Sequence, residues 1–218
     1  MPKFPEPPPI RRLQAIGPDI LALPEGSPLA RVFFRGGDHP VAWNSFRFWG
    51  PGAARFDHHR PGPAGGPIVG PRGILYAAGP GAPGALAVCV AEVFQETRIV
   101  DVRDRAPWFV VFRIGRPLRL LDLRGTWPTR AGASQAISSG SKARARRWSQ
   151  AIHEACPDLD GLIYPSSMGG GADSYALYER AQAAIPDLPE FHRALEDPAL
   201  ARPLADAAAA IEYGLIVS

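Results

Sequence analysis

The stretch GALAVCVAEVFQETRIVDVRDRAPWFVVFRIGRPLRLLDL, residues 84–123, decides the fold class. Its first part, Gly84–Glu96, has helix-forming composition with Pro83 just ahead of it. Leu86, Val90, Val93 and Phe94 fall on one face at helical spacing, and Glu92 points away from that stripe. Three β-rich runs then succeed one another: Arg98–Val102, Phe109–Ile114 and Leu118–Leu123. A doubly wound sheet would need helices alternating regularly with strands. The order seen here favours an α+β fold instead.

Upstream of that stretch, Ile74–Ala78 (ILYAA) and Leu29–Arg35 (LARVFFR) read as strands. They are separated by a long irregular segment, Gly36–Gly73, of the kind that is usually functional or mobile. Residues 1–9 read as a solvated, polyproline-like arm with no means of forming a core. Downstream, Ser141 can cap a helix running to about Ala155, with Ala151, Ile152 and Ala155 on its core side. Gly161–Tyr164 is a short strand that ends at Pro165-Ser166-Ser167 and a Gly169–Gly171 loop. Tyr175–Tyr178 reads as a further strand, Glu190–Glu196 and Ala199–Ile211 as helices, and Tyr213–Val217 as a last apolar run.

A chain of 218 residues is most naturally one domain. It has no apolar run of transmembrane length, and MPKFPEPPPI at its start lacks the apolar centre of a secretory signal. Cys89 and Cys156 show no CxxC spacing and read as small buried apolar residues in a reducing compartment, so the cytoplasm is the expected location. The net charge of +3 is mildly basic, and Lys142–Arg147 (KARARR) is its one cluster. A basic nucleic-acid-binding regulator is the rival reading that cluster supports. A solvated helix face explains it as well, and direct nucleic-acid binding is not expected.

Several residues could carry chemistry. Arg31 and Arg55 each offer a planar fork that grips phosphate oxygens, although two surface arginines would look the same in sequence. Glu92 sits in a largely apolar helix, where a carboxylate needs a partner or a purpose unless it is half exposed. Tyr76 could stack on a ligand ring or simply pack in the core. Ser166 lies at a strand end, where it meets a ligand or merely makes a turn. His58-His59 beside Asp57 invites a metal, but no second cluster of ligands is visible and no metal site is expected. GxGxxG, P-loop and zinc spacings are absent, so a dinucleotide would not sit in a Rossmann site.

In chain order, LPEGSPLARVFF (23–34), NSFRFWGPGAARFD (44–57), LYAA (75–78), ALAVCVAEVFQE (85–96), RPLRLLDL (116–123), RARRWSQAIHEACPDLDGLIYPSS (144–167) and ALYER (176–180) resemble the RES-domain family. The resemblance implies an ADP-ribosyltransferase-like fold, a mixed or antiparallel split β-sheet flanked by helices, with NAD⁺ held in a cleft. It implies a Pro-rich arm over 1–22, the RES domain over 23–180, and an extension over 181–218 packing on the same domain. Family members act as the toxin of a toxin–antitoxin pair, often neutralised by a helix-turn-helix antitoxin. They deplete NAD⁺ as a glycohydrolase or as a phosphorylase. The alternative is a mono-ADP-ribosyltransferase that modifies a protein.

Carried over by motif, the family's catalytic and NAD⁺-binding residues fall on Arg31, Arg55, Tyr76, Glu92 and Ser166. Breaking the nicotinamide–ribose bond develops positive charge on the ribose, which Glu92 would stabilise. Arg31 and Arg55 would clamp the pyrophosphate, Tyr76 would flank the nicotinamide, and Ser166 would orient its ribose or amide. No cofactor is implied: NAD⁺ is the substrate, with inorganic phosphate as co-substrate where phosphate attacks. One departure is Ser167, where similar sequences commonly carry arginine. Its anionic contact is then missing or comes from Arg180 or the 142–147 cluster.

Overall fold

The computed structural model describes residues 4–217. Its helices are α1 (Ile10–Ile16), α2 (Ala85–Val93), α3 (Trp127–Ala131), α4 (Ala136–Ser139), α5 (Lys142–Ala155) and α6 (Ala201–Ala210). Its strands are β1 (Ile20–Leu23), β2 (Pro28–Phe34), β3 (Arg47–Gly50), β4 (Ile68–Ala78), β5 (Ile99–Asp101), β6 (Pro107–Arg113), β7 (Leu118–Asp122), β8 (Gly161–Pro165), β9 (Asp173–Tyr178), β10 (Phe191–Ala194) and β11 (Gly214–Ile216). The main sheet runs β1-β7-β8-β9-β4-β2-β6-β10, with β3 paired to β4 off that path. Among the described residues, β7 and β8 are its one parallel pair. β5 and β11 form a separate parallel ribbon. This is the α+β class that the order of runs favours, with the mixed, mostly antiparallel sheet flanked by helices that the resemblance implies.

Alternation along the strands divides the core. Leu162, Tyr164, Ala176 and Tyr178 join Trp127, Trp148 and Ile152 beneath the helices on one face. Ile163, Tyr175 and Leu177 join Leu75, Val110 and Phe112 on the other. A third cluster packs α2 and α6 against β2 and β6 through Val32, Val88, Phe109 and Leu204. The sheet is thinnest between β2 and β4, which pair at a single position, Ala30 opposite Ala78. Helix α2 lies beside that joint, and the main cleft opens there, lined by both strands and by α2.

Four local readings change. The segment Gly36–Gly73 is not irregular throughout: it holds β3 and the first half of β4, which pair with each other. Helix α2 shows no single apolar stripe: Ala87 to Ala91 are all buried, because the sheet flanks it on one side and α6 on another. Residues 4–9 are not a solvated arm, residues 1–3 of which lie outside the described residues. Phe4 is buried and stacks on Trp148 with ring centroids 6.4 Å apart, and the Trp148 indole donates to the Pro5 carbonyl at 2.9 Å. One aromatic in a proline run is enough to dock it, and hydropathy averaged over such a run conceals this. Glu190–Glu196 contains strand β10, not a helix. Its backbone completes the free edge of β6, an instance of tertiary pairing overriding local composition. No helix of the described residues is long and apolar enough to cross a membrane.

Candidate active site

The cleft has a volume of about 290 Å³. Arg31 enters it from β2, Tyr76 from β4, Glu92 from α2 and Arg55 from the loop between β3 and β4. Ser166, just past β8, lies behind Glu92. Its Oγ donates to Glu92 Oε1 at 2.5 Å and accepts from the Gly169 and Met168 amides at 2.7 and 3.2 Å. The five residues singled out in the sequence therefore gather at one place. The Ser166 hydroxyl is spent on orienting the carboxylate, however, and Ser167 is the serine that lines the cleft. Gly169 makes this possible: a Cβ there would stand 3.0 Å from Ser166 Oγ and 3.1 Å from a Val88 methyl.

Arg31 is held from one side by the Trp43 carbonyl at 3.1 Å, while its Nε is shut off from water without a partner. Burial pushes its guanidinium down to about 10, and among the described residues no carboxylate pairs with it. Arg55 donates to the Gly140 carbonyl at 2.5 Å. Its guanidinium is also pushed down by burial, an effect opposed by the charge of Glu92. Several other arginines are matched by acids: Arg116 by Asp160, Arg124 by Asp122 and Asp173, and Arg72 by Glu154. A buried cation left unpaired is costly. A cleft that keeps two half-buried cations without acid partners beside a single carboxylate suits an anionic ligand.

Sequence reasoning reached Lys142 only as part of the 142–147 cluster and missed other residues of this site. Lys142 and Gln95 line it and bond to each other. Ser174 lines it with a buried hydroxyl that has no partner. Cys89 also lines it, its thiol pushed up to about 12 by burial and hence unreactive. Asp57 is fully buried beneath it, binding Arg47 at 2.5 Å, the Gly52 amide at 2.7 Å and the Tyr76 hydroxyl at 2.9 Å. The Tyr76 hydroxyl also accepts from the Phe56 amide at 3.1 Å, so Tyr76 offers a ligand its ring and not its oxygen. Asp57 stood in the sequence beside the histidine pair, where an acid next to two imidazoles drew attention only as a metal ligand.

Ligands for a second cluster do come together, from distant parts of the chain. His58 Nε2 and His153 Nε2 meet the two oxygens of Glu179 at 2.9 and 2.7 Å. The surroundings favour a hydrogen-bonded clamp over a cation site. Arg180 lies 3.3 Å from His153 Nδ1, so that nitrogen accepts and Nε2 carries the proton given to Glu179. Arg72 holds the His58 carbonyl at 2.8 Å. Burial pushes His58 down to about 4, outweighing its bond to Glu179. For Glu179, burial acts upward, but the bonds from His153 and His58 prevail and hold its carboxyl far below the ordinary range. Arg180 is committed here and to the Cys156 carbonyl at 3.0 Å, so it supplies no contact in the cleft. In the 142–147 cluster, Arg144 and Arg147 are taken by Glu6, which leaves Lys142 to face the cleft.

The comparisons agree with this architecture. A chain from the crystal structure of the M. tuberculosis MbcT–MbcA toxin–antitoxin complex matches over 89% of this chain and 95% of its own, with a TM-score of 0.54. At 17% sequence identity that likeness is one of fold. Among curated proteins none matches the sequence. The family model described as the RES domain matches residues 28–209, which reaches past the last resembling segment at 176–180 and takes in β10 and most of α6. This chain belongs to the RES domain family.

Proposed function

We propose that the chain is the toxin of a toxin–antitoxin pair and that it destroys NAD⁺ in the cytoplasm by breaking the nicotinamide–ribose bond. Membership of the RES domain family and a fold shared with a chain of a toxin–antitoxin complex support the reading. The observation that carries it is Arg31, a cation half-buried in the cleft, its Nε shut off from water and without a carboxylate partner, together with a carboxylate held in one orientation by Ser166.

The chemistry follows from these groups. As the bond breaks, its electron pair leaves with the nicotinamide nitrogen, which becomes neutral, and positive charge develops on the ribose. The Glu92 carboxylate, kept in place by the 2.5 Å bond from Ser166, stabilises that charge. Arg31 and Arg55 grip the pyrophosphate and fix the ribose against Glu92, a gain from positioning. The Tyr76 ring flanks the nicotinamide. An oxygen of water or phosphate then bonds to the ribose carbon, and where water attacks, one of its protons is released to solvent. NAD⁺ is consumed as substrate throughout. A cognate antitoxin of helix-turn-helix type would cover the cleft, and a complex that leaves Glu92 open to solvent would count against that.

The test is to incubate the protein with NAD⁺, with and without inorganic phosphate, and to identify products by mass spectrometry beside Glu92→Gln. Nicotinamide release is expected, reduced about 10²- to 10³-fold by Glu92→Gln, as for loss of one preorganised charge-stabilising group. ADP-ribose or its phosphate names the attacking group. A labelled protein band from labelled NAD⁺ and lysate would move the assignment to mono-ADP-ribosylation. No loss of NAD⁺ under any condition would sink the proposal.

A further inference from the structure

We infer that Lys142, held in place by Gln95, is a third phosphate-binding residue of the cleft, acting beside Arg55. This rests on reading the cleft as an NAD⁺ site, to which it adds an anion contact. Lys142 opens α5 and begins the run KARARR, whose members divide by task. Arg144 and Arg147 bind Glu6, Arg146 reaches the Ala53 carbonyl at 3.4 Å, and Lys142 lines the cleft.

Its ammonium group donates once, to Gln95 Oε1 at 3.1 Å. Gln95 is itself fixed, because its Nε2 donates to the Glu92 carbonyl at 2.7 Å and so leaves Oε1 to accept. An ammonium has three donors. Two remain for a ligand, and among the described residues no carboxylate takes them. Arg55 binds the Gly140 carbonyl, two residues before Lys142, so its guanidinium is anchored on the short piece of chain that carries Lys142.

Arg31, Arg55 and Lys142 thus share the cleft with one carboxylate, Glu92. The excess is two positive charges, and a ligand carrying about two negative charges balances it. The two singly charged phosphates of the substrate pyrophosphate provide them, with one seated between Arg55 and Lys142, or a single free inorganic phosphate does. Lys142 is half-buried and lines the cleft, so its replacement leaves the core untouched.

The experiment uses Glu92→Gln protein, whose slowed turnover leaves the ligand largely intact during a titration, with and without Lys142→Met or Lys142→Arg. NAD⁺, inorganic pyrophosphate and inorganic phosphate are titrated separately by calorimetry at low and moderate salt. Lys142→Met is expected to weaken binding about tenfold, the scale of one charge-assisted hydrogen bond. Lys142→Arg is expected to retain most of it, and the salt dependence should fall with the charge. A loss confined to NAD⁺ and pyrophosphate assigns Lys142 to the substrate. A loss confined to inorganic phosphate assigns it to the attacking group. Lys142-dependent pyrophosphate binding without NAD⁺ binding would keep the anion site and refute the NAD⁺ reading. Unchanged affinity for all three, or binding of none, overturns the inference.

Discussion

Replacing Arg31 by methionine separates the cost of this cleft from its use. Burial holds the guanidinium at about 10 against an ordinary value of 12.5. At 1.36 kcal/mol per pH unit, keeping it charged at pH 7 costs the fold about 3 kcal/mol at most. Methionine removes that cost and fills most of the same volume. It also removes the bond to the Trp43 carbonyl, which, as a bond from a charged donor, offsets about 1.5–3 kcal/mol. The net change is between zero and about 2 kcal/mol of added stability, where a structural arginine would show a clear loss. Binding should move the opposite way: without the fork, NAD⁺ affinity falls about a hundredfold. Urea unfolding of the free protein and calorimetry with NAD⁺ read the two effects separately. An Arg31→Met protein that unfolds at much lower urea and still binds NAD⁺ normally would refute the reasoning, because Arg31 would then be a tie within the fold.

Ser166→Ala removes the donor that orients Glu92, so kcat for nicotinamide release should fall about 10- to 100-fold with KM nearly unchanged; a change confined to KM would mean that Ser166 holds the substrate directly. The histidine clamp makes stability fall with acid. His58 sits at about 4 in the fold and 6.5 when free, so its contribution is complete above pH 6.5 and is lost as pH falls toward 4. That loss is up to about 3 kcal/mol, and the depressed Glu179 adds loss in the same direction below about pH 4.5. Urea titrations at pH 7, 5.5 and 4.5 should show this slope in the wild type and a shallower one in His58→Gln; equal slopes would show that the clamp does not titrate as described.

Residues 84–123 carried the fold class because successive β-rich runs cannot alternate with helices that are absent, and a local composition rule suffices to see that. Strands β2, β6 and β7 lie within two residues of their expected bounds for the same reason. Arg31, Arg55, Tyr76, Glu92 and Ser166 came from ordered resemblance, since no periodicity distinguishes a cleft arginine from a surface one. Tertiary structure alone decided their company. Ser166 meets Glu92 across 74 positions, Lys142 meets Gln95 across 47, and Phe4 reaches Trp148 at the far side of the chain. It also turned Glu190–Glu196 into an edge strand, because β6 had backbone groups to satisfy. Propensity and capping act over a few residues along the chain. Which cation stays unpaired, and which hydroxyl is already spent, depends on neighbours that only the folded packing brings within hydrogen-bond distance.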